Sequence, residues 1–108
     1  MPPRWLVRAL EEIRRCGLAR SVDFTVKADE ELLALGLALN QDDACEILAR
    51  LSLRDFAERM ISTRTGEFMY VFTPQVAGVS LYVKVILRRR CVVISFHEQD
   101  PAEDREDT

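Results

Sequence analysis

The stretch from Val79 to Glu98, VSLYVKVILRRRCVVISFHE, limits what this chain can fold into more than any other. Val79, Leu81, Val83, Val85 and Leu87 alternate with Ser80, Tyr82, Lys84, Ile86 and Arg88, and Val92, Ile94 and Phe96 alternate with Cys91, Val93, Ser95 and His97. A period of two carried by β-branched and aromatic residues is the pattern of half-buried strands. The stretch therefore reads as a long β-hairpin. If its apolar sets are to share one buried face, the loop between the arms must hold an even number of residues. A two-residue loop at Arg89-Arg90 pairs Leu87 with Val92, Val83 with Phe96 and Tyr82 with His97. Arg-Arg is poor chemistry for the positive-φ positions of a tight primed turn, so a four-residue loop stays open. Either loop buries Val79, Leu81, Val83, Val85, Leu87, Val92, Ile94 and Phe96 and leaves Tyr82, Lys84, Ser95 and His97 together on the other face.

The rest of the chain supplies what covers the buried face. Trp5, Leu6, Ala9, Leu10 and Ile13 recur at helical spacing within Arg4–Cys16, with Gly17 as a stop. Ser21–Lys27 reads as a short strand or linker. Asp29 caps a short helix, Glu30–Leu35, and Asn40 caps another, Gln41–Arg50; Ser52 caps a single turn at Leu53–Phe56. Then come a weak strand, Arg59–Thr63, a turn at Thr65-Gly66, and a strong strand, Glu67–Thr73, closed by Pro74 and Gly78. Helices first and strands last predict an α+β fold, with the N-terminal helices on one face of an antiparallel sheet formed by the C-terminal half.

Composition sets the remaining bounds. With 108 residues, 48% apolar and 31% charged, the chain is read as one globular domain, residues 1–98. The last ten residues, 99–108, hold five acids and one base and are expected to be a disordered tail. They account for the formal charge of −3, because residues 1–98 carry 14 bases and 13 acids. Three isolated cysteines and one histidine match no ligand spacing, so neither a metal nor another cofactor is expected. Free thiols favour a reducing cytoplasm. Arg8 interrupts the only apolar run near the N-terminus, and no stretch approaches the roughly 20 apolar residues of a membrane span.

Several segments resemble the motility quorum-sensing regulator (MqsR) toxin family. They are Leu51-Ser52-x-x-Asp55-Phe56-x-x-x-Met60; Val71, Pro74 and Gly78; Leu81-Tyr82-Val83-Lys84; and Val92-Val93-Ile94-Ser95-Phe96. Their order and spacing carry the resemblance over about residues 44–98. It implies a RelE-like fold, mRNA cleavage, and a cognate antitoxin encoded in the same operon. Of the family's site positions, its tyrosine falls on Tyr82. Its lysines fall on His97 and Glu58, and its glutamine falls near Met69.

Metal-free RNA cleavage needs a base for the 2′-hydroxyl, an acid for the leaving 5′-oxygen and groups that hold the phosphate. Glu58 as base and His97 as acid, with Tyr82 beside His97, would supply the proton carriers. Lys84, Arg59 and Arg64 would hold phosphate, and Arg88, Arg89 and Arg90 form a dense positive tip for RNA. These residues also have plain readings: a strand-end histidine, edge packing for Tyr82, a solvated Glu58, and tip arginines that block edge-to-edge pairing. Two functions follow. One is the toxin of a toxin–antitoxin pair acting as an endoribonuclease on mRNA; the other is a catalytically silent RelE-like protein that binds RNA or a protein partner.

Overall fold

The computed structural model describes residues 1–100. The elements are α1 (Arg4–Ala19), β1 (Val22–Phe24), α2 (Val26–Ala34), α3 (Gln41–Ala49), a single 3-10 turn (Leu53–Asp55), β2 (Phe56–Ile61), β3 (Phe68–Phe72), β4 (Gln75–Val76), β5 (Val79–Leu87) and β6 (Cys91–Glu98). The fold is α+β, as the order of patterns predicts. The sheet runs β1-β6-β5-β3-β2, with β4 paired on β5. Every pairing is antiparallel except β1 on β6, so the sheet is mixed. A segment from the N-terminal half therefore supplies one edge. The tail expected at 99–108 lies outside the described residues except for Gln99, whose N–H bonds the Ser80 carbonyl at 2.8 Å, and Asp100.

Helix ends follow local chemistry. Asn40 caps α3 as expected: its side chain accepts from the Asp43 N–H at 2.8 Å, and the Asp43 carboxylate accepts from the Asn40 N–H at 2.9 Å. Two of the helix's otherwise unpaired N-terminal donors are satisfied in this way. Helix α2 begins earlier than Asp29 would place it. Its cap is Thr25, whose hydroxyl accepts from the Ala28 N–H at 3.1 Å. Helix α1 runs through Gly17 and stops at Arg20, which takes a left-handed conformation with φ 57°. Gly17 is a packing residue, since a Cβ there would sit 2.5 Å from the Cys45 carbonyl oxygen and 2.7 Å from the Ala49 nitrogen. Only glycine lets α1 and α3 come this close.

The core lies between these helices and one face of the sheet. Ala9, Leu10, Ile13 and Cys16 of α1 and Ala44 and Leu48 of α3 pack with Tyr70, Phe72, Leu81, Val83, Val85, Val93 and Phe96. Cys16, Cys45 and Cys91 are buried free thiols that pack as small apolar groups. Burial pushes the Cys91 and Cys45 thiols up from their ordinary range.

The main hairpin departs from the expected register in one place. Tyr82 pairs with His97, Val83 with Phe96 and Lys84 with Ser95, as an even loop requires. Val85 then pairs with Val93, Ile86 with Val92 and Leu87 with Cys91, which leaves Ile94 as a β-bulge. The loop is Arg88–Arg90, three residues long, and none of the three arginines has a positive φ. The physical reason is the turn. Arg-Arg avoids the left-handed positions that a two-residue loop demands, and the bulge absorbs the odd residue. Beyond the bulge the faces exchange: Cys91 and Val93 are buried in the core, while Val92 and Ile94 are only half-buried on the opposite face. The turn Ala77-Gly78, at the other end of β5, does take the tight form, with φ 53° and 78°, and Val76 pairs with Val79 across it.

Candidate functional site

Cross-strand partners point to the same side of a sheet, so the register decides which residues meet on the face away from α1 and α3. Tyr82 pairs with His97, and Lys84 pairs with Ser95 on one side and Val71 on the other. Val71 in turn pairs with Glu58. The open face thus carries a row Glu58–Val71–Lys84–Ser95, with Tyr82 and His97 one row further along. The backbone of Glu58 is two strand spacings, about 10 Å, from that of Lys84.

Near the end of β6 on this face the Tyr82 and His97 rings stack, 5.0 Å between centroids and 12° between planes. The Lys84 ammonium lies 5.6 Å from the Tyr82 ring centroid. His97 Nδ1 is 2.8 Å from the Glu98 carbonyl oxygen. A carbonyl only accepts, so Nδ1 holds the proton in that bond.

Helix α2 brings a residue that the sequence reading missed. Beyond Val93 the outer edge of β6 is no longer paired with β1. The Thr25 N–H bonds the Val93 carbonyl at 3.1 Å, and the Glu31 carboxylate accepts from the Phe96 N–H at 3.0 Å. The same geometry places Lys27 Nζ 3.0 Å from Ser95 Oγ and 3.0 Å from the second Glu31 oxygen. Ser95, only 4% exposed, is therefore satisfied by an ammonium. Lys27 and Lys84 flank Ser95 from opposite sides. The signal in the sequence was the Lys27-x-x-x-Glu31 spacing of a helical ion pair, which a helix begun at Glu30 leaves unused.

The arginines separate into different surroundings. Arg59 pairs with Tyr70, on the helix side, and its guanidinium lies 3.7 Å from the Trp5 ring centroid and 4.1 Å from that of Phe68. It is a cation held between two rings, away from the Tyr82–His97 pair. Arg88 makes a two-pronged bond to Glu67, at 2.9 and 2.7 Å. That bond, with a smaller contribution from Thr65, pulls the Glu67 carboxyl down to about 2. Arg90 bonds Asp23 at 3.0 Å and the Val22 carbonyl at 3.3 Å, which ties the hairpin tip to β1. Arg89 at the tip and Arg64 in the β2–β3 turn are exposed.

Toward the tip the open face becomes a groove of about 550 Å³ whose lining includes Met60, Met69, Ile86, Val92, Ile94, Arg64 and Arg88. Met69, near which the family's glutamine falls, lies in this apolar groove. Among the described residues no three His, Cys, Asp or Glu side chains gather as metal ligands.

The model of one protein family, described as the motility quorum-sensing regulator, toxin of MqsA, matches residues 7–98. The chain belongs to this toxin family. The match takes in α1 through β6 and so extends beyond the segments that carry the resemblance in the sequence. As an MqsR-family member the protein is the toxin of a toxin–antitoxin system, with an MqsA-type antitoxin as its partner. Comparison with curated proteins gave no match. Among the described residues no helix is long and apolar enough to cross a membrane.

Proposed function

We propose that the toxin acts as a metal-independent endoribonuclease on mRNA and that the open face around Tyr82 and His97 is its active site. The observation that carries this reading is the stacked Tyr82–His97 pair beside two lysines, Lys84 and Lys27, on one face of the sheet. Lys84 anchors the scissile phosphate, and Lys27 adds positive charge at its edge. Glu58, across Val71 from Lys84, takes the proton from the 2′-hydroxyl. The 2′-oxygen attacks phosphorus, the bond from phosphorus to the 5′-oxygen breaks, and His97 gives that oxygen its proton through Nε2. Tyr82 orients the imidazole and donates to the phosphate. The products are a 2′,3′-cyclic phosphate and a 5′-hydroxyl, so protons balance without water in the first step.

Induced expression followed by primer extension on cellular mRNA, and digestion of a single-stranded RNA by purified protein in EDTA, test the reading. The expected result is cleavage with these two termini, suppressed by the co-expressed antitoxin. Activity that depends on an added metal, or toxicity without RNA cleavage, overturns it.

A further inference from the structure

The apolar groove beside the lysines is not used by the chemistry above. It continues the same face by one row: Ile86 lies two residues beyond Lys84 on β5, Met69 two before Val71 on β3, and Met60 two beyond Glu58 on β2. Two residues of strand are roughly 7 Å, comparable to one step along an extended polynucleotide. A strand whose phosphate sits at Lys84 can therefore place its neighbouring base over the groove. The floor suits a base, because Ile86 is only 5% exposed and is flanked by the half-buried Met60, Met69, Val92 and Ile94. Methionine side chains adapt their shape to flat, polarizable partners. The rim suits an anion. Among the described residues, the charged side chains of the lining are Arg64 and Arg88, with no carboxylate. Arg88 is held in place by Glu67, whereas Arg64 is exposed on the β2–β3 turn.

We infer that this groove is a nucleobase subsite, in which the base next to the scissile phosphate of a single-stranded RNA lies against Met60, Met69, Ile86 and Ile94 while Arg64 meets the following phosphate. The inference rests on the nuclease reading for the placement of the scissile phosphate and adds what selects the sequence around it. An apolar floor beside the hydroxyl side chains of Ser62 and Thr63 holds a ring by contact and reads its edge by hydrogen bonds.

The test uses short single-stranded RNAs with a 2′-O-methyl group at the cleavage site, so that binding is measured without turnover. In a matched set, one base at a time is removed as an abasic nucleotide. Removing the base at one position next to the cleavage site should weaken binding about tenfold, and the others should matter much less. Ile94→Asp should weaken binding of the intact RNA by a similar factor and bind the abasic RNA no worse. Titration of the wild type, followed through its methionine methyl resonances, gives a reading free of any folding defect. Met60 and Met69 should shift under the ring current of the base, and Met1, outside the groove, should not. Equal tolerance of abasic positions, multiplicative effects of Ile94→Asp and base removal, or unmoved Met60 and Met69 signals overturn the subsite. Cleavage of unmodified RNA with no base dependence leaves the nuclease and removes the subsite. Base-dependent binding without cleavage does the reverse, and no binding by the wild type removes both.

Discussion

The two faces of the central sheet use the same strands and do opposite work. On the helix side Val83, Val85, Phe72 and Phe96 are fully buried, and α1 and α3 close over them. On the other side the same strands present Tyr82, Lys84 and His97 half-exposed, then an apolar groove toward the tip. The covered face is bound by packing, in which every atom has neighbours and a change of size is costly. The open face holds charge and rings in place through a few specific bonds, among them Lys27 to Ser95 and Glu31 to the Phe96 N–H. If the open face is the active site proposed above, stability and chemistry are divided between the sides of one sheet, and substitutions on the two sides should fail in different assays.

The largest effect should come from the open face. His97→Ala removes the proposed proton donor and should lower the cleavage rate by about 10²–10⁴-fold. Thermal stability and antitoxin binding should stay near wild type, and Tyr82→Phe should cost less. A folded His97→Ala protein that cleaves at full rate would show that the open face does its work without the imidazole.

On the covered face Phe96→Ala, one residue away, should instead destabilise the fold by about 3–5 kcal/mol through lost burial and a cavity. Denaturant unfolding measures this directly. Ile94→Ala, on the groove side of the bulge, should cost only about 1 kcal/mol, since its side chain is already partly exposed. Equal losses for the two would mean that the faces are not distinct in packing.

The helix layer offers a sharper probe, because Gly17→Ala forces a Cβ against the Cys45 and Ala49 backbone. We expect a loss of about 1–3 kcal/mol from overpacking, seen in the same unfolding experiment, with activity per folded molecule unchanged.

The smallest effect concerns the hairpin tip. Glu67, ordinarily near 4.5, is held at about 2 by Arg88, so its folded value is depressed below the unfolded one. Its contribution to stability is present above pH 4.5 and fades as pH falls toward 2. In Arg88→Ala the Glu67 carboxyl, followed by NMR, should titrate back in its ordinary range. A value still near 2 would mean that Thr65 alone holds it. Both groups are exposed, so overall stability should hardly move.

The fold order, the core positions of β5 and the Tyr82–His97 pairing were legible because each rests on local alternation or capping. Asn40 and Ser52 follow the same rule: the Asp43 and Asp55 carboxylates accept from their N–H groups at 2.9 Å. Less was legible where one residue's position depends on a distant one. Lys27 reaches the site only because α2 covers the unpaired edge of β6. Arg59 sits beside Glu58 in sequence, but strand alternation and the Trp5 ring of α1 carry it to the other face.

By itself the sequence determined the strands of the main hairpin and the strong strand before it, which face of β5 is apolar and that helices would cover it, since a period of two or of 3.6 is written residue by residue. It also carried the family, through the order of its motifs. Tertiary structure alone decided the bulge at Ile94, the parallel addition of β1 and the use of Gly17 as a contact point rather than a stop. Each of these settles a competition between a local preference and the packing of elements far apart in the chain. At the hairpin tip Arg-Arg resists a tight turn, while Tyr82, Val83 and Lys84 must still meet His97, Phe96 and Ser95; a bulge is the smallest adjustment that satisfies both. No local pattern records that adjustment, because its energy lies in contacts that form only after the sheet has closed against the helices.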